Sequence, residues 1–206
     1  MSDQDRPQLT LITPPAFETD LFGEILARVM DDVPIACVRL AMSTKDQDTI
    51  RRAADGLREI SHARDVPLVI ETHWKLVEPH GLDGVHLPDG PRQVRFLRKE
   101  LGADPIIGAY CGSSRHDAMS AGEAGADYVA LGPIGQSALG DGSQADYDLF
   151  QWWSEIFEIP VIAEGALSAA DITHITPVTD FFGIGEEIWT NDNPSAQLRA
   201  LIAAMG

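Results

Sequence analysis

Apolar residues along the chain fall into short runs that alternate with longer amphipathic stretches. Leu9–Thr13 is a β-branched run cut by Pro14-Pro15, and the stretch Phe17–Met30 has apolar residues at helical spacing. The same pair recurs at Ile35–Leu40, followed by a helix over about Asp46–Arg64 that Ser43-Thr44 can cap. A third run, Pro67–Glu71, is followed only by an irregular segment, Thr72–Gly81. Gly84–Leu87 precedes the helix Pro91–Leu101, which has Pro at its start and Gly102 at its end. Ile106–Ala109 leads to a helix opening at Ser114 and closing at Gly122 or Gly125. Tyr128–Leu131 stops at Gly132-Pro133, and a long loop to Ala145 precedes the helix Tyr147–Ile156. Pro160–Ala163, a helix Ala169–Ile175 capped by Ser168, Asp180–Ile184 and a closing helix Pro194–Met205 complete the chain.

Short apolar runs bounded by turn residues are strands buried on both faces, as in parallel sheets. Eight strand–helix units predict a single (β/α)8 TIM barrel over residues 1–206, with residues 1–6 as a disordered tail; a doubly wound sheet is the alternative. In either architecture ligands sit beyond the carboxyl ends of the strands. A small-molecule ligand at the C-terminal rim is therefore the expectation, and the loop Gly132–Gly142 is the first place to look.

Charge changes this picture more than composition does. The 206 residues carry 32 Asp and Glu against 15 Lys and Arg, a formal net charge of -17, which disfavours nucleic acid and anionic membranes as partners. Between Arg115 and Arg199 there is no Lys or Arg, while 14 acidic residues occur, so that half of the chain offers no cation to an anionic ligand. No leader pattern or long apolar run is present, which gives a cytoplasmic location as the default. Cys37 and Cys111 form no metal or disulfide pattern and read as core thiols. Of the adjacent Trp152 and Trp153, one packs inward and the other faces loop, solvent or a partner subunit, so a homo-oligomer is a further expectation.

The runs Val66–Glu71, Asp83-Gly-Val-His-Leu87, Ile106–Gly108, Gly125-Ala-Asp-Tyr-Val129 and Gly132-Pro-Ile134, in that order, resemble the thiamine phosphate synthase family and its thiazole tautomerase relatives. The likeness continues weakly through Ile159–Ala163 and Gly165. It implies a (β/α)8 barrel linked to thiamine biosynthesis, a transferase coupling a pyrimidine diphosphate to a thiazole phosphate with Mg2+ as cofactor. Two anionic substrates call for cations and backbone N–H groups at the strand ends.

At those ends this chain departs from the family pattern. Where the resemblance implies Gln-Leu-Arg-Glu-Lys stands Arg39-Leu-Ala-Met-Ser43; where it implies Asn-Asp stands Glu71-Thr72. The metal-binding Asp position holds Pro91, leaving Asp89 as the local metal candidate. The fifth-strand Ser is Tyr110, and the tautomerase His falls at Gly112 or Ser113, with His116 nearby. Thr-x-Thr-Lys is replaced by Gln136–Asp141, and Gly-Gly-Ile by Glu164-Gly-Ala166. The eighth strand ends in Gly185-Glu-Glu187.

No catalytic residue therefore matches the family pattern. The candidate rim residues are Glu71, His73, Asp89, Tyr110, Gln136, Glu164 and Glu186, with Gly165 and Gly185 as phosphate-binding backbone positions. Glu71, Asp89, Glu164 and Glu186 all follow strand ends and either converge on one site or splay into water. His86, on its strand, reads as a hydrogen-bonded interior histidine. The functional expectation is a divergent synthase-like barrel without the family's anion-binding side chains. The alternatives are a non-catalytic or regulatory barrel, and a binder or enzyme for a neutral or cationic small molecule.

Overall fold

In a computed structural model, described here for residues 6–206, eight parallel strands close into one barrel. They are β1 (Gln8–Ile12), β2 (Cys37–Leu40), β3 (Leu68–Glu71), β4 (Gly84–Leu87), β5 (Ile106–Gly112), β6 (Tyr128–Leu131), β7 (Val161–Glu164) and β8 (Phe181–Ile184). Each strand pairs with its sequence neighbours, and β8 closes on β1 with Leu9 opposite Phe182. The barrel expectation holds, and the doubly wound alternative does not. The expected disordered tail, residues 1–6, lies almost wholly outside the described residues.

The strand parity sorts the core. Leu9, Leu11, Val38, Leu40, Leu68 and Ile70 point outward into the layer of helices, as do their counterparts on the later strands. Inside the barrel, Tyr110, Tyr128, Ala130 and Ile162 form a smaller cluster on which Ile106, Leu139 and Phe181 pack.

The helices are α1 (Thr19–Asp32), α2 (Gln47–His62), α3 (Val94–Leu101), α4 (Arg115–Ala124), α5 (Tyr147–Ile156), α6 (Ala169–Ile175), α7 (Glu186–Trp189) and α8 (Pro194–Ala203). Asp46 caps α2 through the Thr49 N–H, two residues beyond the expected Ser43-Thr44, because a carboxylate at the last extended position reaches the third helical amide. Residues 91–93, read as the start of a helix, form a 3-10 turn leading into α3. The weak third unit has only a 3-10 turn, Trp74–Leu76, and α7 is too short to leave a periodic pattern. On α5, Trp153 is buried with its indole N–H donated to the Ile159 carbonyl; half-buried Trp152 carries the Arg115 guanidinium 4.7 Å above its ring. Among the described residues no helix is long and apolar enough to cross a membrane.

At the amino-terminal end of the barrel one contact is made three times. Asp83, Asp127 and Asp180, each immediately before an even-numbered strand, accept the backbone N–H of Leu68, Ile107 and Val161 at the start of the preceding strand, at 2.7, 2.7 and 2.8 Å. In TIM barrels this face commonly carries stability and the opposite mouth carries function.

Candidate active site

A buried polar network crosses the barrel beneath the C-terminal mouth. Arg39 on β2 and Glu164 on β7 are 2% and 1% exposed and form a two-pronged ion pair, with Nη1 to Oε1 at 3.2 Å and Nη2 to Oε2. Nη1 also lies 3.1 Å from Nε2 of buried His86 on β4, whose Nδ1 is 2.9 Å from the Tyr128 hydroxyl on β6. A guanidinium only donates, so Nε2 must accept, and the imidazole proton sits on Nδ1 facing Tyr128. Two glycines make room for these side chains. A Cβ on Gly108 would run into the Tyr128 ring, and one on Gly183 would come within 3.0 Å of Glu164 Cβ and Oε2.

The electrostatics follow from that packing. Burial, the largest influence, pushes Arg39 down, but Glu164 together with Tyr128 and Glu71 more than offsets it, and the guanidinium stays charged. Burial, then Arg39, pushes His86 well below its ordinary range, so the ring is neutral. Tyr128 and Tyr110 are raised chiefly by burial and keep their protons.

Glu71, at the end of β3, is half-buried. Burial raises its pKa and Glu164 adds to the rise, while Arg39 opposes it. The next residue, Thr72, has φ 67, a left-handed conformation that a β-branched residue seldom adopts, and donates its N–H to the His86 carbonyl. Tyr110 donates its hydroxyl to the Gly132 carbonyl at 2.6 Å. The loop after β6 folds back over this side of the mouth, with Leu139 packed on the inner cluster and Gly140 lying over the Tyr110 ring.

Two corners flank this centre. Between the ends of β4 and β5 and the loop after β6 is a cleft of about 210 Å3 lined in part by Asp89, Tyr110, Ser114, Asp117 and Asp141. Asp89 is exposed, and the Ser143 backbone N–H holds the Asp141 carboxyl below its ordinary value. Among the described residues no group of three His, Cys, Asp or Glu is placed to hold a metal ion. Asp89 and Asp141 suit only an Mg2+ that takes most of its ligands from water and substrate phosphates.

At the other corner, after β7 and β8, both oxygens of Glu187 are engaged by backbone N–H groups. Leu167 donates to Oε1 at 3.0 Å and Gly185 to Oε2 at 2.7 Å.

The expected residues separate accordingly. Glu164, read as a rim carboxylate, lies below the rim as the partner of Arg39, because β7 parity turns it inward. Glu71 and Tyr110 are at the mouth. Asp89, Gln136 and Glu186 are exposed, and His73 is half-buried beside the 3-10 turn after β3. Of the four carboxylates, Glu164 is buried against Arg39 and raises the pKa of half-buried Glu71, while Asp89 and Glu186 are exposed. Gly185 offers its N–H at the expected corner, but to Glu187. His116 is exposed in the first turn of α4, whose N-cap is Ser114. Arg39, Tyr128, Asp141 and Glu187 were not singled out as site residues. For Arg39 the signal was available, since a charged residue inside the run Cys37-Val38-Arg39-Leu40 has to find a partner.

The sequence and the fold have relatives. A profile described as thiamine monophosphate synthase matches residues 9–179. The chain is 36% identical over 186 residues to a thiamine-phosphate synthase of Rhodospirillum centenum, covering 89% of this chain and 90% of that one. A thiamine-phosphate synthase of Erythrobacter litoralis is 37% identical over 155 residues, 73% of each chain. Thiamine phosphate pyrophosphorylase from Pyrococcus furiosus superimposes with a TM-score of 0.80 at 17% identity, covering 97% of both chains, a likeness of fold. By its sequence over most of its length, the chain belongs to the thiamine monophosphate synthase family.

Proposed function

We propose that this chain is a divergent member of its family that binds a neutral or cationic small molecule of the thiamine type at the C-terminal mouth and does not couple two phosphorylated substrates. The observation that carries this reading is the fate of Arg39. It is the cation that reaches inward beneath the mouth, and Glu164 and His86 already take its donors. Drawing this buried guanidinium to a phosphate would strand the buried Glu164 carboxylate without its partner, so Arg39 is not available to a phosphate. Glu71 meanwhile adds a carboxylate at the mouth, and the loops after β6, β7 and β8 contain no Lys or Arg. Lys45, Lys75, Arg92 and Arg115 lie in or beside the loops after β2 to β5, all exposed to water that weakens their hold on an anion. An acidic mouth over a neutralised interior favours a thiazole or thiazolium compound without phosphate. Mg2+ at Asp89 and Asp141 belongs to the other reading, because it needs substrate phosphates to complete its shell.

The test has two arms with the purified full chain. Incubated with the pyrimidine diphosphate, the thiazole phosphate and Mg2+, it is expected to form no thiamine phosphate; formation of product at an enzymatic rate overturns the reading. Thiamine and the unphosphorylated thiazole alcohol are expected to raise the melting temperature more than their phosphate esters do. The opposite order, or no shift with either alcohol, counts equally against it.

A further inference from the structure

The corner between β7 and β8 carries an inference about which ligands the mouth accepts. In TIM barrels the loops after the seventh and eighth strands, with a short extra helix, commonly form a phosphate site out of backbone N–H groups. The parts are present here: the loop from Glu164 to Ser168, the end of β8 at Gly185, and the short helix α7. The acceptor, however, comes from the chain itself. Glu187, in the first turn of α7, sends one carboxylate oxygen to the Leu167 N–H and the other to the Gly185 N–H. A carboxylate holding two amides from two different loops does what two oxygens of a phosphate do at such a corner.

We propose that Glu187 is a specificity-determining residue, a built-in anion that fills the β7–β8 corner and restricts the mouth to ligands with no phosphate at that end. The proposal rests on the C-terminal mouth being the ligand site. The physical argument has two parts. A ligand phosphate would have to displace an intramolecular carboxylate that makes two charge-assisted hydrogen bonds without losing freedom on association. Were it to bind beside Glu187 instead, it would meet a like charge with no Lys or Arg between Arg115 and Arg199 to offset it. Glu186 differs from its neighbour in this respect: its side chain is exposed, so it adds charge without closing the corner.

Inorganic phosphate is the probe, titrated into wild type, E187A, E187Q and E186A while 15N amide resonances are followed. In E187A the Leu167 and Gly185 amides are expected to shift with phosphate and to saturate at a concentration roughly tenfold or more below any response of wild type. E186A removes the same formal charge and is expected to behave as wild type. E187Q, which keeps the size of the side chain, is expected to gain phosphate binding in the same direction and carries the test if E187A does not fold. Equal saturation of those two amides in wild type and E187A overturns the proposal, as does a folded E187A or E187Q whose amides ignore phosphate. The two failures are distinguishable: folded E187A and E187Q whose amides ignore phosphate overturn the role of Glu187 and leave the proposed ligand class standing, saturation in wild type counts against both, and failure of the thiamine arms alone leaves Glu187 in its place.

Discussion

Arg39 and Glu164 lie 125 residues apart in sequence and meet in the middle of the barrel. Removing one member of a buried pair strands the other charge, and this costs about 3–5 kcal/mol, whereas replacing both with apolar groups of similar volume is often near neutral. E164A is therefore expected to lower unfolding stability by about 3–5 kcal/mol and R39M/E164L by much less, read from urea midpoints. Equal losses in the two proteins would show that the pair is not what holds this layer. His86 gives the same network a pH signature. Its folded pKa lies well below the ordinary 6.5, so below about pH 6.5 the unfolded chain takes a proton that the folded ring refuses. Stability is fully present above that pH and falls by about 1.4 kcal/mol per pH unit as acid is added, until the depressed folded value is reached. Glu71 works in the other direction: its raised pKa makes stability fall as pH rises from 4.5 through the folded value. H86Q is expected to remove the first slope in urea titrations and E71Q the second. An unchanged profile in H86Q would mean that the ring is not held neutral. Chain order predicts that Glu164 ends a strand, but strand parity and the gap left by Gly183 decide that it turns inward.

The eight strands each bury their side chains on both faces, which is why the barrel was legible from apolar runs and turn residues alone. What stayed illegible at this scale depends on the geometry of neighbouring loops. β5 runs on through Cys111 to Gly112, past the expected end at Ala109, because it continues to pair with β6 across a register shift. The Asp contacts at the amino-terminal ends of β4, β6 and β8 are another instance. Asp83-Gly84 and Asp127-Tyr128 are visible in sequence, but the amide each accepts belongs to the previous strand, 15 and 20 residues earlier. Loss of the acceptor leaves a strand-end N–H without its partner, at a cost of about 1–3 kcal/mol. D83A, D127A and D180A are each expected to destabilise by that amount in urea. Asp83 also faces His62, and Asp127 also takes Arg98, so D180A gives the cleanest measure of the strand-end contact alone. None of the three is expected to change ligand binding at the opposite mouth, and an altered affinity in D180A would contradict the separation of a stability face from a functional face.

Over the whole molecule the surplus of acid is uneven, and this gives salt a predictable effect. Arg64, Arg98 and Arg199 pair with Asp31, Asp127 and Asp32, and such partly exposed pairs contribute about 0–1 kcal/mol each and weaken with salt. Against them stands a net charge of -17, concentrated where no Lys or Arg interrupts 14 acidic residues. Repulsion among exposed carboxylates acts over about 10 Å at 0.1 M salt and about 3 Å at 1 M, so screening relieves it while leaving the buried Arg39–Glu164 pair almost untouched. The repulsive sum outweighs a few weak pairs. The melting temperature is expected to rise between about 0.02 and 0.5 M NaCl, by about 2–4 °C for each kcal/mol of repulsion relieved. Charge reversal at exposed acids in the cation-free half provides the local check. Glu123 sits in the last turn of α4, where a lysine also favours the helix dipole, and Glu158 lies in the turn before β7. E123K/E158K is expected to melt above wild type at low salt and to show a shallower rise with NaCl, the two curves converging near 0.5 M. A melting temperature that falls as NaCl is added, or curves that stay parallel, would show that the acidic surplus is dispersed widely enough to leave the fold unstrained.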